Sequence, residues 1–458
     1  MPRADGSAES NRAALIPRFA ARRQRHKAKP WIRFTHETIQ TFRKRGILLK
    51  RLLTITLFLL GAGSLDAVEH RVDASTLTGK VMCGYQGWFS CEGDGNQMGW
   101  THWARNPRKP FAPENVTVDL WPDLAEFSPE EKYATGFTHG DGRVAEVFSS
   151  TNRQTVLRHF QWMQTYGIDG VFAQRFANGL KNETLKRQKD TVLENVRQGA
   201  DQYGRVFAVM YDLSGLRAGQ VAHVWQDWSE LRKNQKVTNS PGYLHHEGKP
   251  LVAVWGVGFS DDRQYSLAEC HELVRQLKAD GCAVMLGVPS WWREGIRDAV
   301  DDPALREVLK QADVLSPWTI GRYQTPQEAT RHADRVWQPD QKWCTNREID
   351  FLPVVYPGFS WHNLKGAPLD AIPRLKGEFL WSQIVSAQRI GSRMIYVAMF
   401  DEVDEGTAIF KCSNDPPTGN GGRFLTYEGL PSDHYLRLVG EASKLLRGEV
   451  PPTFPVWK

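Results

Sequence analysis

No Cys-x-x-Cys pair and no His-Glu-x-x-His stretch occurs in these 458 residues, so nothing calls for a zinc site, and no cofactor is expected. The Gly-rich phosphate turn of a nucleotide-binding open sheet is missing too: the first apolar strand candidate, Val81–Tyr85, runs into Gln86-Gly87-Trp88-Phe89. Excess positive charge is confined to one end. Residues 1–67 hold 14 of the 58 Lys and Arg but only 4 of the 52 Asp and Glu, and the 44 basic and 48 acidic residues that follow leave the body slightly negative. Such a body lacks the basic field that nucleic-acid binding requires. Low-complexity linkers and internal repeats are absent as well, which points to a single domain over 68–458. With 41% hydrophobic and 24% charged residues, that domain has the make-up of a soluble globular protein.

Near the N-terminus an apolar run from Leu52 to Ala62 follows Lys44-Arg45 and Lys50-Arg51. It is too short to span a bilayer, and it leads to Ser64-Leu65-Asp66-Ala67, whose small last residue suits signal peptidase. Residues 44–67 are therefore expected to be a cleaved signal peptide, and the product to be secreted or periplasmic with no stable membrane insertion. No Cys follows the apolar core, which argues against a lipoprotein; an organellar transit peptide is the weaker reading. Residues 1–43 form a basic extension without clear periodicity, either a long n-region or a start assigned too early, although no Met lies between Met1 and Met82. Export permits disulfides among Cys83, Cys91, Cys270, Cys282, Cys344 and Cys412, but no spacing specifies a pairing.

Beyond Ser75 the chain alternates. Eight apolar strand candidates are Val81–Tyr85, Ile168–Phe172, Val206–Tyr211, Leu251–Trp255, Ala283–Leu286, Asp313–Ser316, Leu352–Tyr356 and Met394–Phe400. Helix-like stretches separate them at about 152–166, 186–202, 218–234, 264–280, 300–311, 325–338 and 377–390. Strand and helix alternating eight times predict a single-domain (β/α)8 TIM barrel, with a doubly wound open sheet as runner-up. Two excursions stand out: a long first loop over 87–150, rich in Trp, Gly and Pro, and a hairpin over 236–250 that leads into the fourth strand.

Barrel enzymes place their chemistry at the C-terminal ends of the strands. Here those ends supply Tyr85, Gln86 and Trp88; Gln174 and Arg175; Asp212; Trp255; Trp291; Trp318; and Tyr356 with His362. Aromatic faces stack on the apolar face of a sugar ring, while amides and carboxylates bind hydroxyls. With 17 Trp in the chain, many of them in these loops, an oligo- or polysaccharide is the expected partner, although about half of those Trp should be loop-anchoring core. Arg175 suits an anionic sugar and equally a structural ion pair. His102, His223 and His362 are of a type more often found as surface residues than as ligands, and Asp212 is a carboxylate placed toward the barrel mouth.

The eighth strand is followed by four acids within five residues, Asp401-Glu402-Val403-Asp404-Glu405, then Gly406. Like charges this near each other force one group to stay protonated near neutrality. Acid/base catalysis needs such a pair, one carboxyl to donate a proton and one carboxylate to accept. On spacing alone a solvated acidic turn or a cation site is an equal reading, which the rest of the chain decides against; for calcium, the alternating oxygen ligands and later bidentate Glu of a dedicated loop are missing.

This segment resembles glycoside hydrolase families 71 and 99. In the family 99 endo-α-mannosidases the region reads Asn-Glu-Trp-His-Glu-Gly, matched here at Glu402, Glu405 and Gly406. Further likeness lies in Gly84-Tyr85-Gln86-Gly87-Trp88-Phe89, Tyr166-Gly167-Ile168-Asp169-Gly170-Val171 and Tyr356-Pro357-Gly358, so the resemblance covers most of 79–411. Two departures matter: Val403-Asp404 replaces Trp-His, and Asp401 replaces Asn. The resemblance implies an exported glycosidase for an α-linked glycan. Glu405 would be its general acid, and Glu402 the base that assists the sugar's 2-hydroxyl, giving net retention through an anhydro-sugar. Gln86, Trp88, Tyr85, Arg175, Asp212, Trp255, Trp291, Tyr356, His362 and Asp401 are expected around the same pocket. The competing expectation is a carbohydrate-binding barrel that has lost catalysis, motivated by the departures beside the glutamates.

Overall fold

Short apolar segments buried on both faces can satisfy their backbone only against one another, and eight of them do so in parallel. They are β1 (Val81–Tyr85), β2 (Gly170–Phe176), β3 (Val206–Asp212), β4 (Lys249–Trp255), β5 (Ala283–Val288), β6 (Val314–Pro317), β7 in two pieces (Asp350–Phe351 and Val354–Val355) and β8 (Ile395–Val397). The computed structural model describes residues 71–456, so the expected basic extension and signal peptide lie outside the described residues.

Each strand pairs with the next, and β8 returns to β1 with Val81 opposite Ile395 and Cys83 opposite Val397. Closure runs through β7, whose first piece pairs with β6 and whose second pairs with β8. The break falls at Pro353, which has no N–H to give a neighbour. Across it Leu352 N donates to Leu315 O at 2.9 Å, and Pro353 O accepts from Tyr396 N at 3.0 Å. The molecule is a (β/α)8 barrel.

Helices α1 (Arg153–Tyr166), α2 (Glu183–Tyr203), α3 (Ala222–Lys233), α4 (Leu267–Ala279), α5 (Pro303–Leu309), α6 (Pro326–His332), α7 (Gln338–Thr345), α8 (Glu378–Arg389) and α9 (His434–Leu446) lie between and after the strands. Their starts have local causes. Asn152, Asn182, Ser266, Asp302 and Thr325 each accept a backbone N–H of the first turn, and Pro303 and Pro326 sit where no donor is needed. Among the described residues no helix is long and apolar enough to cross a membrane.

Boundaries moved most at β2 and β8. Expected at Ile168, β2 begins at Gly170, because Ile168 N closes the end of α1 by donating to Met163 O at 2.9 Å. Expected to Phe400, β8 stops pairing at Val397; Phe400 N bonds Gly84 O, and Ile409 and Phe410 fold back onto Met399 and Phe400. That fold-back presents the acidic run at the barrel mouth. In the first loop, Trp100, Trp103 and Trp121 are buried with Phe111 and Phe137 under a hairpin (Tyr133–Thr138 with Val144–Val147), so these Trp are core. The six thiols are all unpaired and buried.

Candidate active site

Successive side chains of a strand point to opposite faces, so each strand end delivers one residue into the barrel and the next toward the helices. In β2, Gln174 and Phe176 point in and Arg175 points out; in β3, Asp212 points in and Tyr211 out. With the loops after β1, β6, β7 and β8, the inward set encloses a cleft of about 370 Å³. Its walls are aromatic: Trp88, Phe176, Trp255, Trp318 and Trp361, with Gln86, Gln174, Asp212, Ser214, Met399, Glu402 and Glu405 between them.

Close packing under the cleft depends on two glycines. A Cβ on Gly84 would stand 2.2 Å from Met399 Sδ and 2.5 Å from the Tyr396 hydroxyl, and one on Gly287 would stand 2.4 Å from the Trp255 ring. Gly84 therefore lets the acidic segment settle across β1, and Gly287 lets Trp255 lie flat over β5. Trp255 then meets Trp318 edge-on with ring centroids 5.3 Å apart.

The acidic run divides its labour by direction. Asp401 is fully buried and accepts from the Gln86 N–H at 2.8 Å and the Gly87 N–H at 2.9 Å, which ties the first loop to the eighth. Burial nevertheless pushes its carboxyl up to about 7. Glu402 accepts from Gln86 Nε2 at 2.6 Å and from Thr407 Oγ1 at 2.5 Å. Its pKa is raised, first by burial and then by the charges of Glu405 and Asp404. Glu405 is raised to about 8, again first by burial and then by Asp404, against a lowering contact from the Trp361 indole. Both glutamates are thus held above the ordinary range, and near neutrality the pair keeps a proton. The two short hydrogen bonds received by Glu402 favour its charged form, which makes Glu405 the better seat for that proton on geometric grounds.

Asp404, buried between the glutamates in sequence, turns away from the cleft, and its Oδ2 lies 3.3 Å from His102 Nδ1. The His102 ring stacks on Trp88 at 3.8 Å with planes 5° apart, so one wall of the cleft is braced from behind by this pair. Asp119 braces the other side. Fully buried, it accepts from the N–H groups of His362 (2.7 Å) and Asn363 (2.8 Å), fixing the one-turn helix His362–Lys365 that sets Trp361 on the rim.

Around the cleft several polar atoms are buried without a hydrogen-bond partner: Gln86 Oε1, Gln174 Oε1, Trp88 Nε1 and Trp255 Nε1. Two acceptors and two donors left open in one aromatic-walled cleft match a ligand rich in hydroxyls. Of the expected pocket residues, Gln86, Trp88, Asp212, Trp255, Glu402 and Glu405 line this cleft, and Asp401 anchors it from beneath.

Five expected residues lie elsewhere. Tyr85 points outward and its hydroxyl meets His159 Nδ1 of α1 at 2.9 Å. Arg175 is buried against Asp227 (2.6 and 2.9 Å) and Asp190 (2.8 Å), so of its two readings the structural ion pair is the one found. Tyr356 is fully buried, with its N–H on Gln383 of α8 and its hydroxyl on Tyr323 O. Trp291 lies under Arg297, 4.3 Å from its ring. The ring of His362 turns back to Ala367 O at 2.9 Å while its neighbour Trp361 faces the cleft. Strand parity is the common cause for Tyr85 and Arg175, since strands apolar on both faces show no alternation in sequence.

No family model matches the chain, and no curated protein does. Solved structures match its fold. A GH99 endo-α-mannosidase from Bacteroides thetaiotaomicron aligns with a TM-score of 0.59 at 16% identity, over 82% of this chain and 99% of that one. A second structure of that GH99 endo-α-mannosidase, in complex with bis-tris-propane, aligns with a TM-score of 0.58 at 15% identity, over 81% and 98%. At such identities the likeness is one of fold.

Proposed function

We propose that this protein is an exported glycoside hydrolase that cleaves an α-linked glycan, with Glu405 as general acid and Glu402 as base. The observation that carries the reading is the cleft itself: two glutamates with raised pKa values stand among stacked aromatic walls and unpartnered donors and acceptors. Aromatic walls orient a sugar ring, the open amide and indole groups hold its hydroxyls, and the carboxyl pair supplies one proton donor and one acceptor. Glu405 donates its proton to the glycosidic oxygen as the bond to the anomeric carbon breaks. Glu402 takes a proton from the attacking group. With the sugar's own 2-hydroxyl as that group, attack closes an anhydro ring, water then opens it, and configuration is retained; this route rests on the resemblance to families 71 and 99. The basic stretch and short apolar core before residue 68 support export.

The test is hydrolysis of a panel of α- and β-linked oligosaccharides by the purified protein, with products resolved by mass. Cleavage of an α-linked member, lost in Glu405→Gln, is expected. Binding of the same glycans without any cleavage would favour the non-catalytic barrel, a reading that the Val403-Asp404 departure motivates.

A further inference from the structure

At the opposite end of the barrel, where the strands begin, lies a larger cavity of about 610 Å³. Lys80, one residue before β1, is only 5% exposed and lines this cavity, and among the described residues its side-chain ammonium makes neither a hydrogen bond nor an ion pair. Arg71, Arg205, Lys444 and Arg447 also line it. The acids present are committed elsewhere. Asp73 accepts from Ser75 N and Oγ, both at 2.9 Å. Asp169 accepts from Val81 N at 2.8 Å and faces Arg447 Nη1 at 3.4 Å, and Glu449 accepts from Arg447 Nε at 2.8 Å. Among the described lining residues five are basic and three acidic. Arg71 donates to Asp201 O, Arg205 to Tyr203 O and Ile168 O, and Lys444 meets Glu441 Oε1 at 2.8 Å, which leaves the ammonium of Lys80 as the lining cation without an acceptor among the described residues.

Burying an ammonium without a counter-charge is costly, and such groups are ordinarily paired or neutralised. Burial indeed lowers the Lys80 pKa, with the nearby Asp169 and Asp73 only partly opposing it. The volume lies in the range of small-molecule sites, roughly 300–1,000 Å³, well beyond what one water bridge needs. A compact anion placed at Lys80 would satisfy the ammonium and lie in the field of Arg447, with Arg71, Arg205 and Lys444 on the same lining. Arginine and lysine together suit an oxyanion with several acceptor oxygens.

We propose that this cavity is a binding site for a small ligand carrying a phosphate or sulfate group, with Lys80 Nζ as its buried anchor and Lys444 at its rim. The site is remote from the cleft and independent of the glycosidase reading.

The test is saturation binding to the full chain by thermal shift and calorimetry, at constant ionic strength set with chloride. The probes are inorganic phosphate, inorganic sulfate, glucose 6-phosphate, glucose 6-sulfate and uncharged glucose. A saturable rise in Tm is expected with at least one anionic probe and none with glucose, because a ligand that binds only the folded state stabilises it. The tightest probe distinguishes phosphate from sulfate and free ion from ester. Lys80→Met should weaken that probe more than about tenfold, since the central charge is lost where screening is least. Lys444→Gln, at an exposed position where only one surface pair with Glu441 is lost, should weaken it about 2–5-fold while changing the unliganded Tm little. Absence of a saturable rise with every anion overturns the proposal, as does undiminished binding in Lys444→Gln or in a folded Lys80→Met protein.

Discussion

Two clusters of charge stand on opposite sides of the barrel wall, one toward the helices and one toward the mouth. The outer one joins Arg175 to Asp227 and Asp190, with the Tyr211 hydroxyl also donating to Asp227 at 2.7 Å. The inner one gathers Asp401, Glu402, Asp404 and Glu405, and among the described residues no Lys or Arg is in hydrogen-bond contact with any of the four carboxylates. Opposite charges satisfied by each other make a rigid joint between β2, α2 and α3. Like charges left to raise one another's pKa make a poised proton donor. One arrangement holds the fold; on the function proposed above, the other costs it stability for the sake of chemistry.

Removing charge should therefore act in opposite ways in the two clusters. The largest effect is expected on turnover in the inner one. Glu405→Gln and Glu402→Gln should each lower kcat by about 10²–10⁴-fold, the size of a positioned acid or base. The Glu405 variant should retain more activity on an aryl glycoside, which needs little protonation, whereas the Glu402 variant should lose both substrates alike. Neither should lower Tm, since each removes a repelling carboxylate. Near-wild-type turnover in both would mean the glutamates are structural. In the outer cluster, Asp227→Asn leaves the buried Arg175 undercompensated and should cost about 3–5 kcal/mol of stability, read by denaturant unfolding. A loss of activity in this variant without loss of stability would contradict the division drawn here.

A smaller effect is expected at the wall of the cleft. Trp255 stacks over Gly287 and contacts Trp318, and its Nε1 is among the atoms left open. Trp255→Ala should raise KM for an oligosaccharide by about tenfold to a hundredfold, the worth of one aromatic platform and one hydrogen bond. Its kcat should change less. An equal fall in kcat with KM unchanged would place Trp255 outside substrate binding.

The same two faces explain what was legible in the sequence. Eight strands and seven helix stretches could be read because apolar runs and amphipathic stretches alternate along the chain, while the Asn, Ser, Asp and Thr caps that set five helix starts were not part of that reading. The acids after β8 could be read because four carboxyls in five residues stand out at the exit of an apolar strand. What could not be read was parity. Gln174 and Arg175 are neighbours, and only the pairing register of β2 decides that the amide faces the cleft and the guanidinium faces Asp227. Residues that act at a distance in sequence were equally hidden. Asp119 and His102 come from the first loop, 243 and 302 positions from their partners, and no local pattern links them. Trp361 was passed over for His362 because a one-residue turn at the start of a short helix decides which ring faces in.

The subtlest test concerns Asp404, where the chain departs from the family 99 pattern. Its carboxylate raises both glutamates, yet it is turned toward His102 and does not line the cleft. An acid catalyst must be protonated to act, so activity falls as pH rises through the pKa of Glu405. Asp404→Asn removes a negative charge that favours the protonated form, so that pKa should drop. The alkaline limb of the kcat profile should then move to lower pH by about half a unit to one unit, a shift worth roughly 1 kcal/mol between protonation states. The acid limb, set by the base of the pair, should move the same way because Glu402 is raised by the same charge. A profile whose alkaline limb stays fixed would show that Asp404 holds His102 and Trp88 in place without tuning the proton donor.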